Sequence, residues 1–384
     1  MTDAAPLRQR LLSIDALRGL VILFMLLDHV RETFLLHRQV SDPMSLDSTE
    51  PALFISRTLA HLCAPVFMLL TGLSAWLYGQ KYQGRGDVSA FLFKRGLFLI
   101  ALEFSLVNFA WTFQLPPSVI YLQVIWAIGL SMIALAALLW LPRPLLISLA
   151  LVIMAGHNLL DPLHFAPGTA LQTVWALLHE RSWIEVSDHL RLRITYPVLP
   201  WIGVIALGYG LGPWFATAMA PALRQRYLLR AGLGALLGFV VLRAANGYGE
   251  QPWHAYDSGV LTLMSFFNVT KYPPSLLFLA LTLGIGLLLL LALERVGQRR
   301  WIGVLAVFGA APMFFYLLHL YVLKMLYVAC VALLGLNHGA YFGFDGVGAV
   351  WLVALLLPMA LYWPVRWFAG LKARRRDVAW LKYL

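Results

Sequence analysis

The chain has 384 residues, of which 61% are apolar and 12% are charged, and its formal net charge is +11. Soluble domains average roughly 45–50% apolar and about 25% charged residues. This composition excludes a disordered chain, a disulfide-stapled secreted scaffold and a typical soluble enzyme. It predicts an all-α fold, a polytopic membrane helical bundle that forms one domain over residues 1–384.

Ten apolar segments are long enough to be membrane spans, each of which needs about 20 residues. They are 12–36, 53–79, 91–112, 118–140, 144–160, 196–217, 228–245, 274–293, 303–336 and 347–369. Clusters of Lys and Arg fall at every second boundary, which places both termini in the cytoplasm by the positive-inside rule. The same clustering is typical of cytoplasmic loops and not of a nucleic-acid-binding face. We therefore expect about ten transmembrane helices, membrane lipid as the surroundings and no nucleic-acid partner.

Polar residues divide unequally between the two sides of this topology. All ten histidines fall in the outer halves of the spans or in outer loops, and His319 is the least certain of them. The outer loops 157–195 and 244–272 are rich in Trp, His and acidic residues. Such polar and aromatic surfaces suit a carbohydrate or another polar ligand.

The first span carries ionisable residues, which are costly in a membrane and by default mark function. Arg18 and His29 are eleven residues apart, so they share one helix face with an axial separation of about 16 Å. Asp15 lies one turn before Arg18 and can pair with it. The inner cation suits a phosphate group and the outer imidazole suits proton transfer. The alternative is that Asp15 and Arg18 are only a structural pair at a helix start.

The second span adds Arg57 and His61, one helical turn apart and level with His29. With Asp28 and with His37 in the first outer loop, these groups can converge on an outer vestibule. A histidine there can accept a proton from an acceptor hydroxyl or amine, and a carboxylate can orient it. The alternatives are that Arg57 reaches out to the headgroups and that the histidines make interhelical hydrogen bonds. The histidines lack a metal-ligand spacing, so we expect no metal.

Two later segments contribute further candidates. Lys271 opens the eighth span on the side where Lys and Arg are otherwise scarce, which indicates an anionic contact. Pro312 lies inside the long ninth segment and is expected to break its helix. His319 would then face the interior of the bundle.

Five segments together resemble the DUF1624 family, the bacterial relatives of the catalytic domain of heparan-α-glucosaminide N-acetyltransferase. They are Ser13–Arg31, with Ser-Ile-Asp-Ala-Leu-Arg-Gly-Leu and Asp-His-Val-Arg, and the segments 57–72, 196–203, 271–276 and 312–319. The spacing from Arg18 to His29 is also similar to the Arg-x10-His pattern of the acyltransferase-3 family. The Arg-x-x-Arg motif of that family is not present, and Arg57 and His61 stand near its place.

The resemblance implies an integral membrane acyltransferase of the bacterial inner membrane. It would move an acetyl group from cytoplasmic acetyl-CoA to an extracytoplasmic sugar amine or hydroxyl, on a glycan or a small amine. In eukaryotic relatives a histidine shortly after the first span is catalytic and an Asn precedes it, whereas this chain has Asp28 there. The implied residues are His29 or His37 with Asp28 for catalysis, Arg57, His61, Lys271 and His319 for the acceptor, and Arg18 with Asp15 for acetyl-CoA.

Several alternatives stay open at this point. A proton-coupled transporter or flippase would use the same charged face as a substrate path, although the sequence shows no inverted repeat. A structural membrane protein would tolerate loss of the buried charges. The choice between His29 and His37, the choice between an acyl-histidine and direct transfer, and a homodimer also stay open.

Overall fold

The computed structural model describes residues 4–81, 84–297, 299–375 and 377–383. These residues are mostly helical, with 70% of them in helices. In chain order, the first helices are α1 (Ala4–Phe34), α2 (Pro51–His61), α3 (Cys63–Gly79), α4 (Arg85–Leu102) and α5 (Asn108–Thr112). The next are α6 (Val124–Leu138), α7 (Arg143–Gly156), α8 (Ala170–Leu178), α9 (Leu199–Gly210) and α10 (Pro221–Ala245). The last are α11 (Gly259–Phe267), α12 (Leu276–Val296), α13 (Arg300–Ala310), α14 (Pro312–Leu334) and α15 (Val347–Arg374).

A small sheet corrects the expectation of an all-α fold. Its strands are β1 (Val119–Leu122), β2 (Ser182–Ser187) and β3 (Leu190–Ile194), in the order β1-β3-β2. β1 pairs with β3 in parallel, and β2 pairs with β3 as an antiparallel hairpin. In β3, apolar residues alternate with Arg191 and Arg193, a pattern that suits a half-exposed strand. The predicted fourth span therefore begins with a strand, and the outer loop 157–195 contains a hairpin.

Six helical segments of the described chain are long and apolar enough to cross a membrane. They are Pro51–Gly79, Arg143–Leu160, Pro221–Ala245, Leu276–Val296, Pro312–Leu334 and Val347–Arg374. Each of them falls on a segment that the sequence predicted as a span. The chain is therefore a helical protein with several membrane-length helices.

Three of the other four predicted spans differ from these six for two physical reasons. α1 is long enough at 31 residues but carries several ionised side chains along its length. α6 and α9 have 15 and 12 residues, which at 1.5 Å per residue give roughly 22 and 18 Å, short of the ~30 Å hydrocarbon layer. Ten crossings thus stay a prediction.

The predicted break in the ninth segment is confirmed. α13 ends at Ala310, Ala311 has φ −131° and ψ 54°, and α14 begins at Pro312. Proline disfavours helical backbone in the residue before it and fits the first turn of a new helix. A new helix, α14, therefore begins at this break, and it carries His319.

The described residues fold into two compact units. The first contains those of Met1–Cys63, His254–Asn268 and Leu289–Leu384, and the second contains Ala64–Trp253 and Val269–Leu288. A single domain over the whole chain stays a prediction.

In the first unit, helix α1 packs directly on α13. A Cβ on Gly19 would overlap the Leu305 carbonyl oxygen, and a Cβ on Gly309 would overlap the Asp15 carbonyl oxygen. The two glycines thus let the helix backbones touch, which is how small residues act at helix interfaces in membranes. This contact, together with packing against α14 and α15, fixes the helix that carries most of the candidate site.

We expect Gly19→Ala to destabilise the protein by about 1–3 kcal/mol, because the added methyl group must push two helix backbones apart. Gly303→Ala is the matched control, since a Cβ at Gly303 on α13 would meet nothing within 4 Å. Thermal unfolding in detergent measures both. Equal melting temperatures for the two variants would contradict the close contact between α1 and α13.

In the second unit, the sheet lies beside α6, the short helix α5 and the π-helical turn between α4 and α5. Asn108 on α5 donates its side-chain amide to the Val119 carbonyl at 3.1 Å and accepts from the Tyr121 N–H at 3.0 Å. These bonds satisfy an edge of β1. The buried Glu103, in a π-helical turn between α4 and α5, accepts the Trp126 N–H at 2.8 Å. That carboxyl group caps the N-terminus of α6, whose first N–H groups have no partner within the helix.

Candidate active site

The last two turns of α1 carry a buried cluster of charges in the first unit. Asp28 accepts hydrogen bonds from Arg31 Nε at 2.9 Å on one carboxylate oxygen and from Arg57 Nη1 at 2.6 Å on the other. Arg31 also donates to Glu32 at 3.2 Å. Asp28, Arg31 and Arg57 are all buried. Two guanidiniums and two carboxylates therefore balance one another where an isolated charge would be very costly.

These contacts define what Asp28 does in the structure. It is the shared counter-ion of Arg31 on its own helix and of Arg57 on α2. The sequence assigned Asp28 to orienting a histidine, whereas both of its oxygens hold arginines. Asp28 thus ties α2 to α1 and fixes the orientation of Arg57.

His29, the next residue, faces a second histidine. His29 Nδ1 and His319 Nε2 are 2.7 Å apart, and the two rings stack at an interplanar angle of 16°. His319 Nδ1 lies 2.7 Å from the Phe315 carbonyl oxygen. A carbonyl only accepts, so His319 Nδ1 carries the proton and, in the neutral ring, His319 Nε2 is an acceptor. His29 Nδ1 must then donate to it.

This chain of hydrogen bonds sets the state of the His29 ring. With Nδ1 protonated, the neutral imidazole has its lone pair on Nε2, the tautomer that a general base needs. Tyr316 packs its ring edge-on against His29, with centroids 5.8 Å apart. α14 thus fixes the tautomer of His29 through His319 and covers one side of the His29 ring with Tyr316.

His37, the other candidate base, also has a histidine partner. Its ring stacks on His338 with centroids 3.7 Å apart and an interplanar angle of 6°. His338 Nε2 lies 3.2 Å from Asp345 Oδ1. The loop that carries His338 is braced by Asn337, whose side chain bonds the Gly343 N–H and carbonyl at 2.8 and 2.9 Å. Burial, the neighbouring His338 and Arg38 together lower the pKa of His37 below its usual value of 6.5.

The lowered pKa of His37 predicts a pH-dependent stability. Folded His37 binds protons less readily than the unfolded chain does. Its contribution to stability is therefore complete above pH 6.5 and is lost as the pH falls through the lowered folded pKa. Between pH 7.5 and 5 we expect the melting temperature of the wild type to fall more steeply than that of His37→Gln. His189→Gln, which removes an exposed histidine, should follow the wild type, and parallel curves for all three would contradict the assignment.

Arg18 and Asp15 form an ion pair of 2.8 Å near the middle of α1. Lys372 of α15 adds positive charge beside Asp15. Because α1 is continuous, Arg18 and His29 lie on one helix about 16 Å apart along its axis. The predicted arrangement of a cation and an imidazole along one helix is therefore present.

The remaining predicted residues lie in different places. His61 is buried on α2, one turn after Arg57. Lys271 belongs to the second unit, where its Nζ lies 5.1 Å from the ring centroid of Tyr272 and 5.9 Å from that of Tyr196. The Arg181 guanidinium also lies over Tyr272, at 5.2 Å. Lys271 is thus part of a cation–aromatic cluster in that unit.

Three residues with clear roles were missed by the sequence analysis. Arg31 has the same spacing from Asp28 as Arg18 has from Asp15, so the (i, i+3) pattern could have found it. Glu103 is an acid in an apolar segment, which is itself a signal. His338 offers no local signal, since only the fold brings it to His37.

The catalytic family of heparan-alpha-glucosaminide N-acetyltransferase matches residues 10–240, more than half of the chain. The chain belongs to this family. No curated protein matches the sequence. The match covers α1 and α2, and with them Asp28, His29, His37 and Arg57, whereas His319 and His338 lie beyond it.

Membership of the heparan-alpha-glucosaminide N-acetyltransferase family confirms the resemblance carried by the first two spans. The family is one of membrane acetyltransferases, which indicates a transferase and disfavours the transporter or flippase. Membership of a membrane-enzyme family agrees with the six membrane-length helices, so the chain is a membrane protein of a transferase family.

Proposed function

We propose that this chain is a transmembrane acetyltransferase of a bacterial inner membrane. It takes the acetyl group of acetyl-CoA from the cytoplasm and passes it to a sugar amine or hydroxyl on the opposite side. The hydrogen-bonded series from His29 through His319 to the Phe315 carbonyl carries this proposal. Such a series presents a neutral, oriented imidazole, as a general base for acyl transfer requires.

His29 is the proposed base. Its Nε2 takes the proton from the acceptor hydroxyl or amine as the acceptor oxygen or nitrogen attacks the acetyl carbonyl carbon. The carbon–sulfur bond of acetyl-CoA then breaks, and the leaving CoA sulfur takes up the proton from His29. His319 keeps Nδ1 of His29 protonated and, through its acceptor nitrogen Nε2, stabilises the imidazolium that forms on His29, as the hydrogen-bonding partner of a catalytic histidine does. His37 is the competing candidate, because its lowered pKa also keeps it neutral near pH 7.

The buried arginine cluster is the proposed wall of the acceptor site. Arg57 is held rigidly by Asp28 at 2.6 Å, and a fixed guanidinium can bind sugar hydroxyls or the acetyl oxygen. His61, one turn further along α2, extends the same wall. Within the second unit, Lys271 with its tyrosines is a separate proposed binding surface for sugar, since aromatic rings and cations suit sugar faces and acidic groups.

Arg18 is the proposed contact for the phosphates of acetyl-CoA. Its side chain is 19% exposed and its guanidinium is oriented by Asp15, and guanidiniums match phosphate oxygens in geometry. Acetyl-CoA supplies an activated thioester carbonyl, and the chain orients it with Arg18 near the middle of α1 and His29 near its C-terminal end. This placement fits ten spans with both termini in the cytoplasm, the topology that the basic clusters favour.

The test uses purified full-length protein in detergent with acetyl-CoA labelled in the acetyl group. We expect saturable binding of acetyl-CoA that weakens in Arg18→Ala and survives in His29→Ala. We also expect release of the CoA thiol only when an amino sugar or another acceptor is added. Movement of a solute across vesicles without release of thiol would instead support transport. Absence of acetyl-CoA binding at millimolar concentration would sink the proposal.

A further inference from the structure

Three side chains gather in the second unit, at a place that the acetyl-transfer proposal does not use. His157 lies in the 3₁₀ turn after α7, Asp161 follows that turn, and His179 is the residue after α8. One ligand atom from each of the three lies within 4.8 Å of the other two. Two imidazoles and a carboxylate are a common ligand set for zinc.

The surroundings of His157 are unusual for a purely structural residue. Only 2% of it is exposed, and neither of its ring nitrogens makes a hydrogen bond of normal geometry to any residue that the structure describes. Buried polar groups are nearly always paired, because an unpaired one costs about 1–3 kcal/mol. The Pro274 carbonyl lies beside the ring. It is placed to accept the second N–H of His157 once the other nitrogen binds an ion, as outer partners of metal ligands do.

A simple ion pair explains only part of the cluster. His179 Nε2 lies 2.9 Å from Asp161 Oδ1, so these two residues can satisfy each other. That pair leaves Nδ1 of the buried His179 without a partner among the described residues. It also leaves His157 unexplained, although the His157 and His179 rings meet edge to face with centroids 5.4 Å apart.

The neighbouring residues hold the carboxylate in position. Asn158 donates its side-chain amide to Asp161 Oδ2 at 3.0 Å. The other end of the same amide accepts the Leu276 N–H at 2.9 Å, which ties the turn to the start of α12. Oδ1 of Asp161 is thus aimed at the histidines by a fixed support, as carboxylate ligands in metal sites are.

We propose that His157, Asp161 and His179 bind one Zn²⁺ ion, with water completing the coordination. Ligand atoms about 2.0–2.2 Å from a tetrahedral ion lie roughly 3.4 Å apart, so the three groups need to close in only slightly. The side chain of Asp161 is 49% exposed, which gives the ion and the water a path to the site. Imidazole ligands select Zn²⁺ over Mg²⁺ and Ca²⁺, which prefer oxygen.

This site differs from the arrangement that the sequence analysis considered. The expectation of no metal was drawn from His29, His37 and His61, and none of these belongs to the cluster. The spacing of His157, Asp161 and His179 in the sequence matches no short zinc motif. The three residues meet only because the fold of the 157–195 segment brings His179 back to the end of α7. The bound ion would fasten that segment to the helices, independently of acetyl transfer.

The test measures Zn²⁺ binding to full-length protein purified without a polyhistidine tag and stripped with a chelator. We expect one Zn²⁺ per chain by competition with a chromophoric chelator, and an affinity at least about 100-fold weaker in His157→Asn, since even loss of an outer partner costs 10–100-fold. His189→Asn removes an exposed histidine of the same segment and should bind as the wild type does. Mg²⁺ should not compete.

Two further measurements keep the result independent of folding defects. Zn²⁺ should raise the melting temperature of the wild type and of His189→Asn, because binding to the folded state stabilises it. It should not raise that of Asp161→Asn, whose half-exposed side chain is the mildest of the three to replace. The proposal would be overturned if the wild type did not bind Zn²⁺, or if the wild type and His157→Asn bound it with equal affinity.

Discussion

His29→Ala is expected to lower the rate of acetyl transfer by about 10²- to 10⁴-fold, the usual contribution of a general base. Binding of acetyl-CoA should remain, because the proposed phosphate contact, Arg18, lies about 16 Å away along α1. The rate falls because the variant lacks Nε2 of His29, the atom that takes the proton from the acceptor. The measurement is release of the CoA thiol in the presence of acceptor, beside acetyl-CoA binding for the same variant.

His37→Ala is the matched control, since it removes the other candidate base, which lies in the loop after α1. A small effect in His37→Ala with a large one in His29→Ala assigns the base to His29. The reverse pattern would move the base to His37 and its partner His338. Full activity in both variants would contradict general-base catalysis by either histidine.

His319 is a positioning residue in this scheme, and it should behave differently from His29. His319→Gln removes the ring that fixes the tautomer of His29, and we expect a 10- to 100-fold loss, as for other outer partners of a functional histidine. The diagnostic result is an altered pH profile of the rate, because the protonation of His29 depends on the acceptor at His319 Nε2. A loss of stability without a change in the pH profile would show a purely structural role.

The local features of this site could be predicted from the sequence. Helix periodicity placed Asp15, Arg18 and His29 on α1, and the structure shows one continuous helix there. The same periodicity joins Asp28 to Arg31, although the sequence analysis did not use it. Pro312 predicted the break that begins α14, because proline acts on its immediate neighbours.

The long-range features could not be predicted in the same way. His29 and His319 are 290 residues apart, and no spacing rule joins positions so distant. The partner of Asp28 on α2 depends on how α1 and α2 pack. The zinc ligands meet because the chain from α7 to α8 turns back on itself. Pairing across a fold depends on packing of the whole chain, which a single sequence does not display.

The membrane topology illustrates a limit of hydropathy. Apolar content predicted spans at α6 and α9, yet these helices have only 15 and 12 residues, so their crossings stay a prediction. Conversely, α1 is long but charged, and its charges are neutralised by partners that hydropathy does not include. Apolar length therefore identifies membrane helices well only where a helix is both long and free of buried ion pairs.

Asp28→Ala is expected to destabilise the protein by about 3–5 kcal/mol, the usual effect of breaking a buried ion pair. The substitution removes the carboxylate that bridges Arg31 and Arg57, which stay buried close together beside Glu32. Without that bridge the two guanidiniums repel each other, which weakens the contact between α1 and α2. Thermal unfolding in detergent should show a large drop in the melting temperature.

Asp15→Ala provides an internal control on the same helix. Asp15 and Arg18 have the same (i, i+3) spacing and the same 2.8 Å distance as Asp28 and Arg31. Their side chains are 36% and 19% exposed, whereas those of Asp28 and Arg31 are 8% and 3% exposed. Fully exposed pairs contribute only about 0–1 kcal/mol, and this partly buried pair lies closer to that limit than the Asp28 pair does, so Asp15→Ala should lower the melting temperature much less than Asp28→Ala. Because the two pairs differ mainly in burial, similar melting temperatures for the two variants would show that burial of the Asp28 cluster does not set its contribution to stability. A large loss in Asp28→Ala alone would assign that contribution to desolvated charge and, through Arg57, to the geometry of the proposed acceptor site.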